Sequence, residues 1–266
     1  MLFRSIPDRE YVAPVQRLRI RYAKRGRLRF ASHRDFQRAL ERALRRAGVP
    51  MAYSAGFSPH PRISYANAAP TGSASEAEYL EIALARTCDP AELGERINAA
   101  LPPGLDIVEV VEARTPDFAH RLEASRWRIE LPGVDAEVAR RAVDELASRD
   151  EVEVERLTKN GVRRFDVRGA VLACDVEASA IEGRPCAILT VVLLQATPAV
   201  RPDDVLASLR SVADLVPPVP ARVTREMQGP LGPSDPEAGS ARQIRPVGEV
   251  SLGDPLDADR ETSNQT

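Results

Sequence analysis

Ser32, His33 and Asp35 stand together where a helical pattern begins, and His60 stands between Pro59 and Pro61 in the turn that follows that helix. Serine, histidine and aspartate are the parts of a nucleophilic triad, and two histidines with a carboxylate are the parts of an acid–base site. The spacing argues against a triad. Neighbours on one helical turn cannot aim at one another in line, and a capping role accounts for Ser32 and Asp35 without chemistry. His33, Asp35 and His60 therefore remain as catalytic candidates only if the two histidines converge in the folded chain.

A second set of residues points to anion binding. From Gln16 to Arg62 the chain carries 13 basic residues against 2 acidic ones, a local charge of +11 within a net charge of −2, so the remainder carries −13. A basic block inside an acidic protein implies a polyanionic partner. The candidate nucleic-acid or phosphate contacts are Ser32, His33, Arg34, Arg38, Arg42, Arg45, Ser54, Phe57, His60 and Arg62. The helix start offers free N–H groups to a phosphate, and the arginines extend such a seat along a phosphate backbone. Phe57, with Tyr53 and Tyr65 nearby, offers rings on which bases stack, although core packing is the expectation for the two tyrosines. Nothing in this set reads base identity.

The elements that must position these residues follow from periodicity. Leu18, Ile20 and Tyr22 alternate with Arg17, Arg19 and Arg21, which predicts a half-buried strand, continued past a Lys24-Arg25-Gly26 turn by Leu28 and Phe30. Phe36, Ala39, Leu40, Ala43, Leu44 and Ala47 form one apolar stripe of a helix opened by Ser32 and stopped by Gly48 and Pro50. Arg34, Arg38, Arg42 and Arg45 fall on the opposite side. Short strands are expected at Met51–Ser54, Ile63–Tyr65 and Glu78–Ala85, then a helix capped by Asp89 and a strand over Leu105–Val111. The second half repeats the scheme, with strands at Trp127–Leu131, Ala187–Gln195 and Arg222–Met227 and helices at Asp135–Ala147 and Pro202–Leu209. A hairpin is expected over Val152–Leu157 and Val162–Phe165, turning at Asn160-Gly161, whereas Phe165–Ala178 has no clear pattern.

The expected class is therefore α+β, with two tandem ferredoxin-like β-α-β-β-α-β modules. Residues 1–15 read as a flexible arm, 16–115 as the first module with the basic face, 125–228 as a second, degenerate module, and 229–266, which has no aromatic residue, as a disordered tail.

Several classes of function are disfavoured. There is no nucleotide-binding glycine loop, Walker motif, zinc signature or Gly-x-Ser-x-Gly elbow. Cys88, Cys174 and Cys186 are scattered, odd in number and without metal-ligand spacing, so no metal and no cofactor is expected. The N-terminal residues carry no apolar core of a secretion signal, and the longest apolar run, about Ala187 to Leu194, is far short of the ~20 residues that span a bilayer. A cytoplasmic location away from membranes is expected.

The run from Arg27 to Tyr65, continuing to Pro70-x-Gly72-x-x-Ser75-x-x-Glu78, resembles the bacterial radical-SAM-linked domain family of unknown function. Ser58 departs from the asparagine expected in the Gly-Phe-x-Pro turn. The resemblance implies a role beside an enzyme, in RNA modification or processing, and supplies no reaction. The chain lacks the Cys-x-x-x-Cys-x-x-Cys run of a radical SAM iron–sulfur cluster, so it is not expected to be the radical enzyme. The leading expectation is an accessory protein that binds tRNA or rRNA through its arginine-rich face. The alternatives are an enzyme or enzyme subunit acting on RNA or a small anionic substrate, and an adaptor that docks a radical SAM enzyme or the RNA-processing machinery.

Overall fold

The computed structural model describes residues 13–55, 57–158, 161–233 and 243–260. The expected flexible arm falls mostly on residues 1–12, which lie outside the described residues. The first half runs through β1 (Gln16–Lys24), a 3₁₀ turn (Gly26–Phe30), α1 (His33–Arg46), β2 (Ile63–Ala66), β3 (Ala74–Leu84), α2 (Pro90–Ala100) and β4 (Leu105–Glu112). The second half runs through β5 (Ala124–Pro132), α3 (Ala136–Ala147), the hairpin β6 (Glu153–Thr158) and β7 (Gly161–Asp166), β8 (Val171–Ile181), β9 (Arg184–Leu194), α4 (Pro202–Ala213) and β10 (Arg222–Gly229). A short α5 (Asp257–Arg260) follows. The class is mixed α+β.

One large sheet joins the two halves, in the order β4-β1-β3-β10-β5-β9-β8, with β2 also paired to β3. The join is the parallel contact of β3 with β10, where Thr224 faces Ala74 and Arg225 faces Ser75. β3 uses its other end, Tyr79 to Ile82, to pair antiparallel with β2.

The helices lie on one face of this sheet because that is where the alternation puts the apolar side chains. Leu18, Ile20, Leu80 and Ile82 meet Phe36, Leu40 and Leu44 of α1 and Leu93 and Ile97 of α2. In the second half Ile129, Leu131 and Leu189 meet Val143, Leu146 and Leu209. Each fully buried leucine or isoleucine contributes roughly 1.5–3 kcal/mol. α1 starts where the Ser32 side chain accepts the Asp35 N–H at 3.2 Å and stops at Gly48, whose φ of +61° a residue with a Cβ rarely adopts.

The structure departs from the sequence expectations in three places. Leu28 and Phe30 belong to the 3₁₀ turn and not to a strand, because the Leu28 N–H bonds back to the Arg25 carbonyl at 3.2 Å. Met51–Ser54 is no strand but two single bridges, Met51 to Leu84 and Tyr53 to Pro61. The expected hairpin β6–β7 forms, as a separate two-stranded sheet outside the main path, and β8 begins within the stretch that has no clear pattern.

The largest departure is the tail. Residues 243–260 are packed and not disordered. They cover the sheet face opposite the helices. Arg245 bridges to Ala173, Val250 and Leu252 pack with Leu172 and Val192, and fully buried Leu256 packs with Tyr79, Phe118 and Leu122. The approach is close: a Cβ on Gly229 would stand 2.0 Å from the Gly253 carbonyl oxygen. The anchor is Asp259, buried against Arg19 and Arg121 and accepting the Arg114 and Thr115 N–H groups at 3.0 Å each. Composition alone missed this because a segment poor in large apolar residues can still be fixed by a fully satisfied buried carboxylate.

Candidate functional site

The arginines of the basic block separate into two groups. Those of β1 and Arg25 just after it are engaged. Arg17 and Arg19 pair with Glu81, Arg19 also holds Asp259, Arg21 donates to the Glu76 carbonyl, and Arg25 pairs with Glu76 and Asp106. Those on the outward face of α1 are not, although Arg46 at its end donates to the Ala100 carbonyl. Arg34, Arg38, Arg42 and Arg45 are exposed, and among the described residues none of their side chains makes an ion pair or hydrogen bond. The apolar stripe of α1 buries Phe36, Leu40, Ala43 and Leu44, which turns the arginine side outward.

At the start of α1, Ser32 donates its hydroxyl to the Asp35 carboxylate at 2.7 Å and accepts the Asp35 N–H. The His33 ring lies 3.1 Å from the Gln37 side-chain nitrogen and edge-on to Tyr65, with ring centroids 5.0 Å apart. Ser32, His33 and Asp35 therefore form a cap and not a relay. The N–H groups of Asp35 and Phe36 are taken by Ser32, while those of His33 and Arg34 meet no acceptor among the described residues.

The turn after α1 is closed by Ser54 and His60. The Ser54 N–H donates to the His60 carbonyl at 2.9 Å, and the Ser54 Oγ accepts the His60 N–H at 3.0 Å. The turn presents Phe57, 94 % exposed, and Tyr53, 45 % exposed, so Tyr53 is not the core residue expected. Tyr65 is half-buried against Phe36. The Arg62 backbone is fixed between Ala52 and Ala83. His60 lines a cleft of about 230 Å³ with Glu41, Arg45 and Tyr53, whereas His33 lines a different one.

That second cleft, of about 420 Å³, lies above the junction of β3 and β10. His33 and Phe36 of α1, the loop from Ala68 to Thr71, and Arg201 and Asp203 at the start of α4 form its walls, and Tyr22, Lys24 and Glu78 form its floor. The floor is held by a buried network. Glu78, 2 % exposed, pairs with Arg225, 3 % exposed, and accepts the Ala69 N–H at 3.1 Å. Arg225 also donates to the Asn67 carbonyl at 2.7 Å and lies over the Trp127 ring, 5.3 Å from its centroid. Burial, reinforced by Arg225 and opposed by Glu78, holds the Lys24 ammonium below the ordinary lysine range, and burial next to Glu78 holds the Tyr22 phenol well above the ordinary tyrosine range.

Of the candidate site residues read from the sequence, His33 alone lines this cleft; Lys24, Tyr22, Glu78, Arg201 and Arg225 are not among those candidates. A signal existed. Lys24 shares the inward parity of Leu18, Ile20 and Tyr22, and Glu78 that of Leu80 and Ile82, so two ionisable residues occupy core-facing strand positions. Among the described residues no group of histidine, cysteine or carboxylate side chains is arranged to hold a metal ion, and no helix is long and apolar enough to cross a membrane.

Comparison with known proteins adds a family. No curated protein matches the chain. Among solved structures, DyPB from Rhodococcus jostii RHA1 aligns at 14% identity over 77% of this chain and 86% of that one, with a TM-score of 0.21. The encapsulated DyP-type peroxidase from Mycobacterium smegmatis aligns at 10% identity over 84% and 94%, also at 0.21. Superpositions this loose do not establish a shared fold. Residues 17–202, more than half of the chain, match a bacterial family described as "Uncharacterized protein conserved in bacteria (DUF2344)", and the protein belongs to that family.

Proposed function

We propose that the protein is an RNA-binding accessory factor that holds a tRNA or rRNA segment on the outward face of α1 and acts in the cytoplasm beside a radical SAM enzyme. The observation that carries the RNA reading is the contrast between paired and unpaired arginines. The guanidiniums of β1 and of Arg25 are consumed by Glu76, Glu81, Asp106 and Asp259, while Arg34, Arg38, Arg42 and Arg45 project from one helix with no partner among the described residues. An uncompensated row of that kind is what a phosphate backbone requires. Phe57, almost fully exposed nearby in sequence, supplies a ring for stacking. The link to a radical SAM enzyme rests on the resemblance of the Arg27–Glu78 run. The architecture we propose is two ferredoxin-like modules in tandem, supported by the matching strand orders β4-β1-β3-β2 and β10-β5-β9-β8.

The test is a titration with tRNA and rRNA fragments at two salt concentrations. Binding at low salt that weakens steeply with salt, and that Arg38→Glu with Arg45→Glu removes, supports the reading; absence of binding at low salt, or indifference to the double substitution, ends it. An enzyme acting on RNA is the second reading, favoured by the cleft with Lys24, Tyr22 and Glu78 on its floor.

A further inference from the structure

The floor of the 420 Å³ cleft holds polar groups that the protein leaves short of partners. Tyr22 is 5 % exposed, and its hydroxyl has no hydrogen-bond partner among the described residues. Lys24 is 6 % exposed, and its ammonium has one acceptor, the Ala69 carbonyl, at a distance of 3.5 Å. Both groups open onto the cleft, and donors that are short of protein partners at the bottom of a cleft mark a place where a ligand supplies acceptors. The volume lies within the roughly 300–1,000 Å³ of small-molecule sites.

The walls narrow the ligand. Phe36, stacked on Tyr22 with centroids 4.7 Å apart, and His33 give flat, aromatic sides. Glu78 is already neutralised by Arg225, which leaves Lys24 and Arg201 against Asp203. Among the described residues the guanidinium of Arg201, exposed at the mouth, makes no hydrogen bond or ion pair, and the His33 and Arg34 N–H groups at the nearby α1 start meet no acceptor. Asp35 also sits at that helix start, with its carboxylate engaged by Ser32. A planar ring bearing acceptors, joined to one anionic group, satisfies all of these features.

We infer that this cleft binds one nucleotide unit, its base over Tyr22 and Lys24 and its phosphate at the mouth near Arg201. The choice of a nucleotide over another ringed anion rests on the reading that α1 holds RNA. The unit has two possible sources, a free nucleoside monophosphate or a residue turned out of an RNA strand bound along α1.

The experiment separates these sources. Uridine and adenosine 5′-monophosphates are titrated against the full chain, and a single-stranded RNA carrying one 2-aminopurine is followed by its emission as the base leaves the stack. Tyr22→Phe removes the hydroxyl and keeps the ring packing, and Ala68→Trp fills the cleft from an exposed wall position. For a free nucleotide, the monophosphates bind, Tyr22→Phe weakens them about tenfold, Ala68→Trp abolishes binding, and Arg38→Glu with Arg45→Glu has no effect. For an RNA residue, the emission change occurs with wild type and disappears in Ala68→Trp while the overall RNA affinity persists. RNA binding with neither monophosphate binding nor an emission change overturns the cleft assignment and leaves the α1 reading standing; monophosphate binding without RNA binding does the reverse.

Discussion

Glu78 on β3 and Arg225 on β10 form a buried ion pair across the parallel strand contact that joins the two halves of the sheet, linking residues 147 positions apart. The pair also fixes the loop that walls the cleft, because Glu78 accepts the Ala69 N–H and Arg225 donates to the Asn67 carbonyl.

Removing one partner strands the other in the interior. Glu78→Gln or Arg225→Met is expected to lower stability by about 3–5 kcal/mol, while the double replacement costs less than the sum of the two. Urea unfolding of the four proteins, treated as a double-mutant cycle, measures the difference.

Asp259 gives a pH signature. Burial alone raises a carboxyl pKa, but the hydrogen bonds from Thr115, Arg19 and Arg114 outweigh it and hold this one below its ordinary value. A carboxylate with a lowered folded pKa contributes stability that is complete above the unfolded value and is lost as pH falls through the folded one. Asp259→Asn is therefore expected to lose about 2–3 kcal/mol at pH 7, and its deficit relative to wild type should shrink below about pH 4. Unfolding midpoints across pH 3–7 check this.

Lys24 shifts in the same direction for the opposite reason: its charged form is disfavoured by burial, where that of Asp259 is favoured by its partners. The folded pKa of Lys24 lies below the unfolded one, so the folded state resists the proton and stability rises with pH through that interval. Lys24→Met is expected to leave the thermal midpoint at neutral pH unchanged or raised, in contrast to Arg225→Met. A fall would mean that the ammonium is better satisfied than its single 3.5 Å contact indicates.

Salt dependence distinguishes the two groups of arginines. Arg38→Gln is expected to reduce the slope of log affinity against log salt by roughly 0.7, one single-strand phosphate contact, whereas Arg17→Gln leaves the slope unchanged because Arg17 is committed to Glu81. Binding isotherms at several ionic strengths measure both.

Phe57→Ala touches nothing buried, so stability should change by less than about 0.5 kcal/mol, while RNA affinity should fall by about 1–3 kcal/mol if a base stacks on the ring. A thermal melt and a filter-binding titration read the two effects separately.

The sequence made α1 legible because its helical period, serine cap and glycine stop agree, and the outward arginines followed from the same periodicity. The 3₁₀ turn at Gly26–Phe30 was not legible: its alternating Leu28 and Phe30 satisfy a strand pattern, and the Arg25–Leu28 hydrogen bond that curls it leaves no mark on composition. The cleft was hidden for a different reason. Its floor comes from β1 and β3 and its walls from α1, a loop and α4, and the pairing that brings them together joins Ser75 to Arg225. No local period encodes a contact of that range, although Lys24 and Glu78 at inward strand positions were visible clues. Residues 243–260 were misread because Asp259 looks like any acidic residue until Arg19, Arg121 and Thr115 surround it.

The parallel β3–β10 contact also bears on divisibility. A fragment ending at residue 115 would keep α1 and its arginines yet carry Glu78 in its interior with no guanidinium to meet it, and would leave the Ala74–Ser75 end of β3 without the strand it pairs with. A fragment beginning at residue 125 would hold Arg225 with the converse defect. Neither piece is a finished product by itself, so the chain should melt in one cooperative step, and attempts to express the halves separately should yield insoluble or partner-seeking material.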